Sequence, residues 1–390
     1  MTTFRFQTPV LALMAVSLAA FGQEPRLTPR PSDTHPTLAT GSPAPDFDLP
    51  GIDGKNHKLA EYQDPILVVM FICNHCPTSQ LYEGRMKKLV SDYTGKGVGF
   101  VAINPNDPKA ITLSELGYTD VSDSMEEMKI RAEYRHFNFP YLWDGETQSV
   151  TQAYGAQATP HIFIFDKERK LRYDGRIDNA QRESLVKTQD ARLALDAILA
   201  GRPVAVPHTP AFGCSTKWKS KIDSQLAEMK KIEAEPVNLE MVTADDLKKL
   251  RQNPTSKVLL VNFWATWCGP CLTEFPAIEE TWRMFRRRDF DLVTIAVNYP
   301  DEKNGVLKTL QAQHGSSRNL LFASEDTYAL QAAFNPKWEA GVPYTMVIAP
   351  GGRVIYEVQG EVDVHAMRRA IQANLENETY VGHPAYWAAR

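Results

Sequence analysis

The sequence predicts an α/β protein of two tandem domains, each a central sheet flanked by helices. Three observations carry this. The chain has 390 residues, more than one hydrophobic core serves well. Apolar runs of strand length alternate with amphipathic helical patterns, as in a mainly parallel sheet covered on both faces. The order of those runs also occurs twice. Each half has a buried strand, a Cys-x-x-Cys, a helix, and later a residue–Pro dipeptide entering a strand, Thr159-Pro160 in one and Val342-Pro343 in the other. From the first Cys to that Pro is 87 residues in the first half and 75 in the second, a long-period duplication rather than a solenoid repeat.

Residues 1–22 read as a secretory signal. Arg5 supplies the positive charge, 10–21 is apolar, and Ala20-Phe21-Gly22 places small residues around a cleavage point. The apolar run is shorter than the roughly 20 residues of a transmembrane helix, although an uncleaved N-terminal anchor stays open. No Cys follows it, as a lipoprotein would need. Export puts the chain in the periplasm or another extracytoplasmic space. Residues 23–41, rich in Pro, Thr and Ser, form a flexible lead-in.

The first domain is expected over 42–201. Ile66 opens a continuous apolar strand, 66–72, which feeds Cys73-Asn-His-Cys76. A helix follows Pro77, with Leu81, Met86, Leu89 and Val90 on one face. A strand at 98–103 comes next. A helix at 122–137 carries Ser124 and Glu127 as a capping box. Two strands, 161–165 and 171–173, turn at Asp166–Arg169, and a helix at 183–200 is stopped by Gly201 and Pro203. Residues 202–236 read as a Pro-rich and then Lys-rich linker containing Cys214. The second domain, 237–378, repeats the plan with strands at 258–265, 292–297, 319–323, 344–348 and 354–358. Its helices follow the second Cys-x-x-Cys and cover 305–314, 327–334 and 364–375. The tail, 379–390, has no pattern.

A net charge of −4 and the lack of a basic stripe exclude a nucleic-acid partner. The five cysteines are more telling. Four form Cys73/Cys76 and Cys268/Cys271, and Cys214 is left over. A Cys-x-x-Cys closes too small a loop to staple much, so its value is chemical. A zinc ribbon needs its two pairs about 15–20 residues apart, and these lie in separate strand–helix units. No metal or cofactor is expected. Cys268 falls where a strand ends and a helix begins, so free N–H groups and the helix dipole favour its thiolate. That thiolate attacks a substrate disulfide, and Cys271, one turn on, displaces the product.

Val261-Asn-Phe-Trp-Ala-Thr-Trp-Cys-Gly-Pro-Cys271 resembles the thioredoxin superfamily, and most of all its exported TlpA/ResA branch. The resemblance covers about 237–378. It implies two tandem thioredoxin-like domains, each a central mixed β-sheet flanked by helices. It also implies redox-active disulfides Cys268–Cys271 and Cys73–Cys76. Pro343, and Pro160 in the first half, would be the cis-prolines that meet substrate backbone. Asn262 stands where a buried Asp is usual, and Glu274 matches an acidic residue used in the exported branch. From spacing alone, Glu274 shares a helix face with Cys271.

Ala44-Pro-Asp-Phe-Asp-Leu49, together with Cys73-Asn-His-Cys76-Pro-Thr78, resembles the AhpC/TSA and redoxin group. With Cys76 as the peroxide-reacting cysteine, Val69 and Cys73 replace that family's Pro and Thr, so little peroxidase activity is expected. His75 is expected to favour the Cys73 thiolate and make this pair the more oxidising. Cys214 is a candidate resolving thiol or an inert one.

The resulting expectation is a protein-disulfide oxidoreductase. Its substrates would be disulfide-containing exported proteins, and its reductant an unidentified membrane or periplasmic thiol donor. The alternatives are a thiol peroxidase in the first domain, or a copper carrier using Cys73, His75 and Cys76. Proline beside the thiols weighs against the carrier.

Overall fold

The computed structural model describes residues 35–375. The expected signal segment, most of the lead-in and the tail lie outside them. None of the described helices is long and apolar enough to cross a membrane.

The first domain opens with a small hairpin, β1 (Asp48–Pro50) and β2 (Asn56–Lys58). Its main elements are β3 (Ile66–Phe71), α1 (Pro77–Tyr93), β4 (Val98–Asn104), α2 (Met125–Tyr134), β5 (Tyr141–Trp143) and α3 (Ser149–Tyr154). They continue with β6 (Ala158–Thr159), β7 (His161–Phe165), β8 (Leu171–Gly175) and α4 (Asp190–Leu199). The sheet order is β5-β4-β3-β7-β8. The first three strands are parallel and β7 and β8 antiparallel, so the sheet is mixed. All six residues of β3 are buried, and their alternation serves two cores. Ile66, Val68 and Met70 pack with Tyr82, Met86 and Leu89 of α1. Leu67, Val69 and Phe71 pack with Phe47, Leu49, Tyr154 and Phe163.

The second domain follows the same logic. It contains β10 (Glu240–Val242), α6 (Ala244–Gln252), β11 (Val258–Trp264), α7 (Gly269–Phe285), β12 (Phe290–Ala296) and α8 (Lys303–Ala312). Then come β13 (Arg318–Phe322), α9 (Thr327–Phe334), β14 (Tyr344–Ile348), β15 (Val354–Gln359) and α10 (Val364–Leu375). The order is β10-β13-β12-β11-β14-β15, with only β14 and β15 antiparallel to their neighbours. Leu259, Val261 and Phe263 face α6 and α9, whereas Val258 and Leu260 face α7 and α10.

Three expectations change. The lead-in is already part of the fold by residue 38, where Leu38 N–H donates to Tyr154 at 3.1 Å and Gly41 N–H to Leu171 at 2.8 Å. The 183–200 helix is interrupted. A 3-10 turn covers Glu183–Leu185, and the Asn179 side chain then captures the N–H groups of Lys187 and Thr188 before α4 begins. The expected linker returns to the first domain. Asp174 N–H bonds Pro207 and Thr209 N–H bonds Asp174, both at 3.0 Å. Strand β9 (Cys214–Ser215) pairs with β6. Pro-rich composition signals extended backbone, and extended backbone can dock on a sheet as readily as span a gap. Gly213 makes this docking possible, because a Cβ there would collide with the Thr159 carbonyl. Only α5 (Ile222–Glu233) resembles the Lys-rich connector expected.

The two domains share a core. Ile111, Leu113 and Leu116, from the segment between β4 and α2, pack with Ile278, Met284 and Phe285 of α7. Arg369 on α10 donates to Asp120 at 3.1 Å, and Arg288 to the Gly117 carbonyl at 2.9 Å.

Candidate active sites

In the second domain, β11 delivers Cys268 to the N-cap of α7. The Cys271 N–H points at the Cys268 sulfur at 3.2 Å, where a thiolate would take the hydrogen bond. The structure holds Cys268–Cys271 as a disulfide. Both cysteines are buried, while Trp267 beside them is 67% exposed, an apolar landing surface at the mouth of the site. The Val342–Pro343 bond is cis, and Val342 packs against the cluster that holds both cysteines.

Glu274 is buried one turn beyond Cys271. Its carboxylate accepts from Asn262 Nδ2 at 3.1 Å and from the Val362 N–H at 3.0 Å. Asn262 also donates to Thr345 Oγ1 at 3.0 Å, so this buried amide ties β14 to the Glu274 carboxylate and orients it. Burial pushes the Glu274 carboxyl above the usual carboxylate range, and the two donors offset this only in part. The group therefore keeps its proton to a higher pH than an exposed Glu and can exchange it during turnover. Glu274→Gln is expected to slow disulfide reduction and to remove one ionisation from the acid limb of the pH–rate profile. Unchanged rate and profile would reduce Glu274 to a structural role.

The first centre differs in register. Here the second cysteine, Cys76, caps its helix, whereas in the other motif the first does. Cys73, Cys76 and Cys214 form one buried cluster of free thiols, in place of the expected Cys73–Cys76 disulfide. The Cys76 sulfur turns toward the Ser79 N–H at 3.4 Å, the Cys214 N–H at 3.3 Å and the Thr159 carbonyl at 3.2 Å. Cys73 Sγ meets Thr159 Oγ1 at 3.0 Å. The Thr159–Pro160 bond is cis, so the residue before that proline touches both sulfurs.

Burial disfavours a Cys76 thiolate. Hydrogen bonds from Cys214 and Cys73, the His75 charge and the Ser79 N–H outweigh it and hold this thiol well below its usual range. As a thiol, Cys76 can donate to the Thr159 carbonyl; as a thiolate, it accepts from the Ser79 and Cys214 N–H groups and from the Cys73 and Cys214 thiols. Burial pushes Cys73 well up. The hydrogen bond to Cys76, and then burial, does the same for Cys214. The stabilised sulfur is therefore Cys76 and not Cys73, a correction with a geometric cause. His75 Nδ1 is engaged by Asp123 Oδ2 at 2.6 Å instead of by Cys73. The ultraviolet thiolate absorbance of a Cys268→Ser, Cys271→Ser chain should titrate below the roughly 8.5 of a free thiol, and adding Cys76→Ser, but not Cys73→Ser, should remove that titration. Its loss on Cys73→Ser alone would refute the assignment.

Asp123, Asn106 and Thr159 were not legible as site residues. Ligand atoms of Cys73, His75 and Asp123 lie within 4.8 Å of one another. Asp123 is nevertheless already committed, accepting from Asn74 N–H, His75 N–H, His75 Nδ1 and Asn106 Nδ2. The trio is thus built as a hydrogen-bond network that fixes His75.

Fold and sites together define a thiol–disulfide oxidoreductase of the thioredoxin type, carried on two thioredoxin-like domains. The first matches the AhpC/TSA family over residues 40–174 and the second matches Redoxin over 238–375. Thiol-disulfide oxidoreductase ResA of Geobacillus thermodenitrificans is 29% identical over 135 residues, 35% of this chain and 68% of that protein. Thiol:disulfide interchange protein HelX of Rhodobacter capsulatus is 29% identical over 119 residues, 30% of this chain and 59% of HelX. A crystal structure of an uncharacterized conserved protein from Geobacillus kaustophilus is 41% identical. That match covers 46% of this chain and 93% of the other, with a TM-score of 0.42.

Proposed function

We propose that the protein reduces or rearranges disulfides of exported proteins outside the cytoplasmic membrane, with the second domain as the reductase. The observation that carries this is Cys268 at the N-cap of α7 beside the exposed Trp267. In the reduced enzyme the Cys268 thiolate attacks a substrate sulfur, and the other substrate sulfur leaves as a thiolate. Cys271 then attacks Cys268, releases the second substrate thiol and closes the disulfide. In this reading Glu274, one helical turn beyond Cys271 and held above the usual carboxylate range by burial, exchanges the Cys271 proton. A thiol donor outside the membrane restores the dithiol. Cys214 and the first centre are not needed for this cycle.

The test is trapping. Cys271→Ser, expressed with its native N-terminus, should retain exported proteins as mixed disulfides on Cys268, identifiable by mass spectrometry. Capture of cytosolic proteins alone, or none above the level of a Cys268→Ser, Cys271→Ser double variant, would overturn the reading. N-terminal sequencing from the envelope fraction tests export. A start near Gln23 supports cleavage, and an intact Met1 in the membrane pellet supports an anchor.

A further inference from the structure

The first centre has three sulfurs where the exchange chemistry of a dithiol needs two. It is also closed: Cys73 is 3%, Cys76 0% and Cys214 7% exposed. A folded substrate cannot reach Cys76 directly. What adjoins the centre is a cavity of about 310 Å³, at the lower end of small-molecule sites. Cys214 is the sulfur that lines it, together with His75, Glu115, Lys217 and Gln225, and its rim reaches the surface at Ser224.

Two of the walls are prepared for a ligand. His75 Nε2 and Gln225 Oε1 are buried and have no hydrogen-bond partner among the described residues. Both side chains line the cavity, so an occupant with its own donor and acceptor would satisfy groups otherwise costly to bury. The charges nearby cancel, since Lys217 Nζ and Glu115 Oε1 pair at 2.6 Å. The walls therefore select a small polar molecule rather than a strongly charged one.

We infer that Cys214 is a third redox-active sulfur, which forms a disulfide with Cys76 and exchanges it with small polar thiols and disulfides entering this cavity. The geometry provides for both partners. Strand pairing sets Cys214 opposite Thr159, the residue that touches the other two sulfurs. The Cys214 N–H is directed at Cys76 Sγ.

The exchange balances within one thiol/disulfide couple. A small thiolate attacks Cys214 Sγ, the Cys76–Cys214 bond breaks, and Cys76 leaves as a thiolate. The sulfur best stabilised as an anion is the better leaving group. A second small thiolate attacks the small-molecule sulfur of the mixed disulfide. It releases the symmetrical small disulfide, and Cys214 regains a proton from the thiol that supplied the thiolate. Two thiols are oxidised and one protein disulfide is reduced. The same steps in reverse let a small disulfide oxidise the centre.

The test uses the full chain carrying Cys268→Ser and Cys271→Ser, equilibrated with mercaptoethanol and its disulfide. The sample is acid-quenched and alkylated, and its disulfides are mapped by mass spectrometry. A Cys76–Cys214 linkage and a mercaptoethanol adduct on Cys214 are expected. Adding Ser224→Trp at the exposed rim should slow adduct formation roughly tenfold, because thiol reactivity follows access. Cys73–Cys76 as the sole linkage, an adduct on Cys73 or Cys76, or a rate unmoved by Ser224→Trp would overturn the inference. Insulin reduction by the wild-type chain, measured alongside, reports on Cys268–Cys271, so the two readings fail separately.

Discussion

Cys268→Ser is expected to abolish disulfide reduction on insulin, by roughly a thousandfold or more, because it removes the attacking atom itself. Serine keeps the N-cap geometry of α7, since its hydroxyl can still accept from the Cys271 N–H, so folding should survive. Cys73→Ser should leave most of the activity. The reason lies in what can reach each centre: Cys268 sits beside an exposed indole that a protein substrate can meet, whereas the first centre adjoins a cavity of about 310 Å³ sized for small molecules. Equal loss in both variants would mean that electrons must pass through both centres, and the separation of roles drawn above would be wrong.

Arg131→Met is expected to cost about 3–5 kcal/mol of stability, the range for breaking a buried ion pair from one side. Arg131 and Glu83 are both almost fully buried, with Arg131 Nε donating to Glu83 Oε1 at 2.7 Å. The same guanidinium reaches Asp120 at 3.3 Å. Methionine fills the stem but leaves Glu83 with Arg135 alone, and that partner is partly in solvent. Denaturant unfolding should show the loss, and Glu83→Gln added to Arg131→Met should recover part of it by removing the stranded charge. A loss below about 1 kcal/mol, the range of exposed pairs, would show that water reaches the site.

The second centre was legible because its parts are local. A strand, Cys-Gly-Pro-Cys and a helix are consecutive, so which cysteine caps the helix follows from reading forward. Glu274 was found through the resemblance to the exported branch, and helical spacing put it on the face of Cys271. The first centre was legible as Cys73, His75, Cys76 and Pro160, with Cys214 a candidate resolving thiol that nothing in the sequence could place. Its remaining parts are brought in by tertiary structure, with Asp123 48 residues from His75, Thr159 83 from Cys76 and Cys214 138 from Cys76. No periodicity links such positions. The fold was readable where strands are buried on both faces, as in 66–71 and 258–264. It was misread where composition and structure diverge. The prolines of 203–210 suggested a spacer but lie along a sheet, and an apparent helix at 183–200 lost its first half to the Asn179 side chain.

The segment between β4 and α2 has a role in how the chain can be divided. One side of it, at Ala110, Thr112 and Glu115, walls the small-molecule cavity, and its end supplies Asp123 to His75. The other side inserts Ile111, Leu113 and Leu116 into the core beneath α7. Cutting the chain at the connector would leave those three side chains in water and open the base of the second domain. The duplicated halves are therefore no longer autonomous modules. Each has become part of the other's interior, and a half studied in isolation is a different object from the same half in the whole protein.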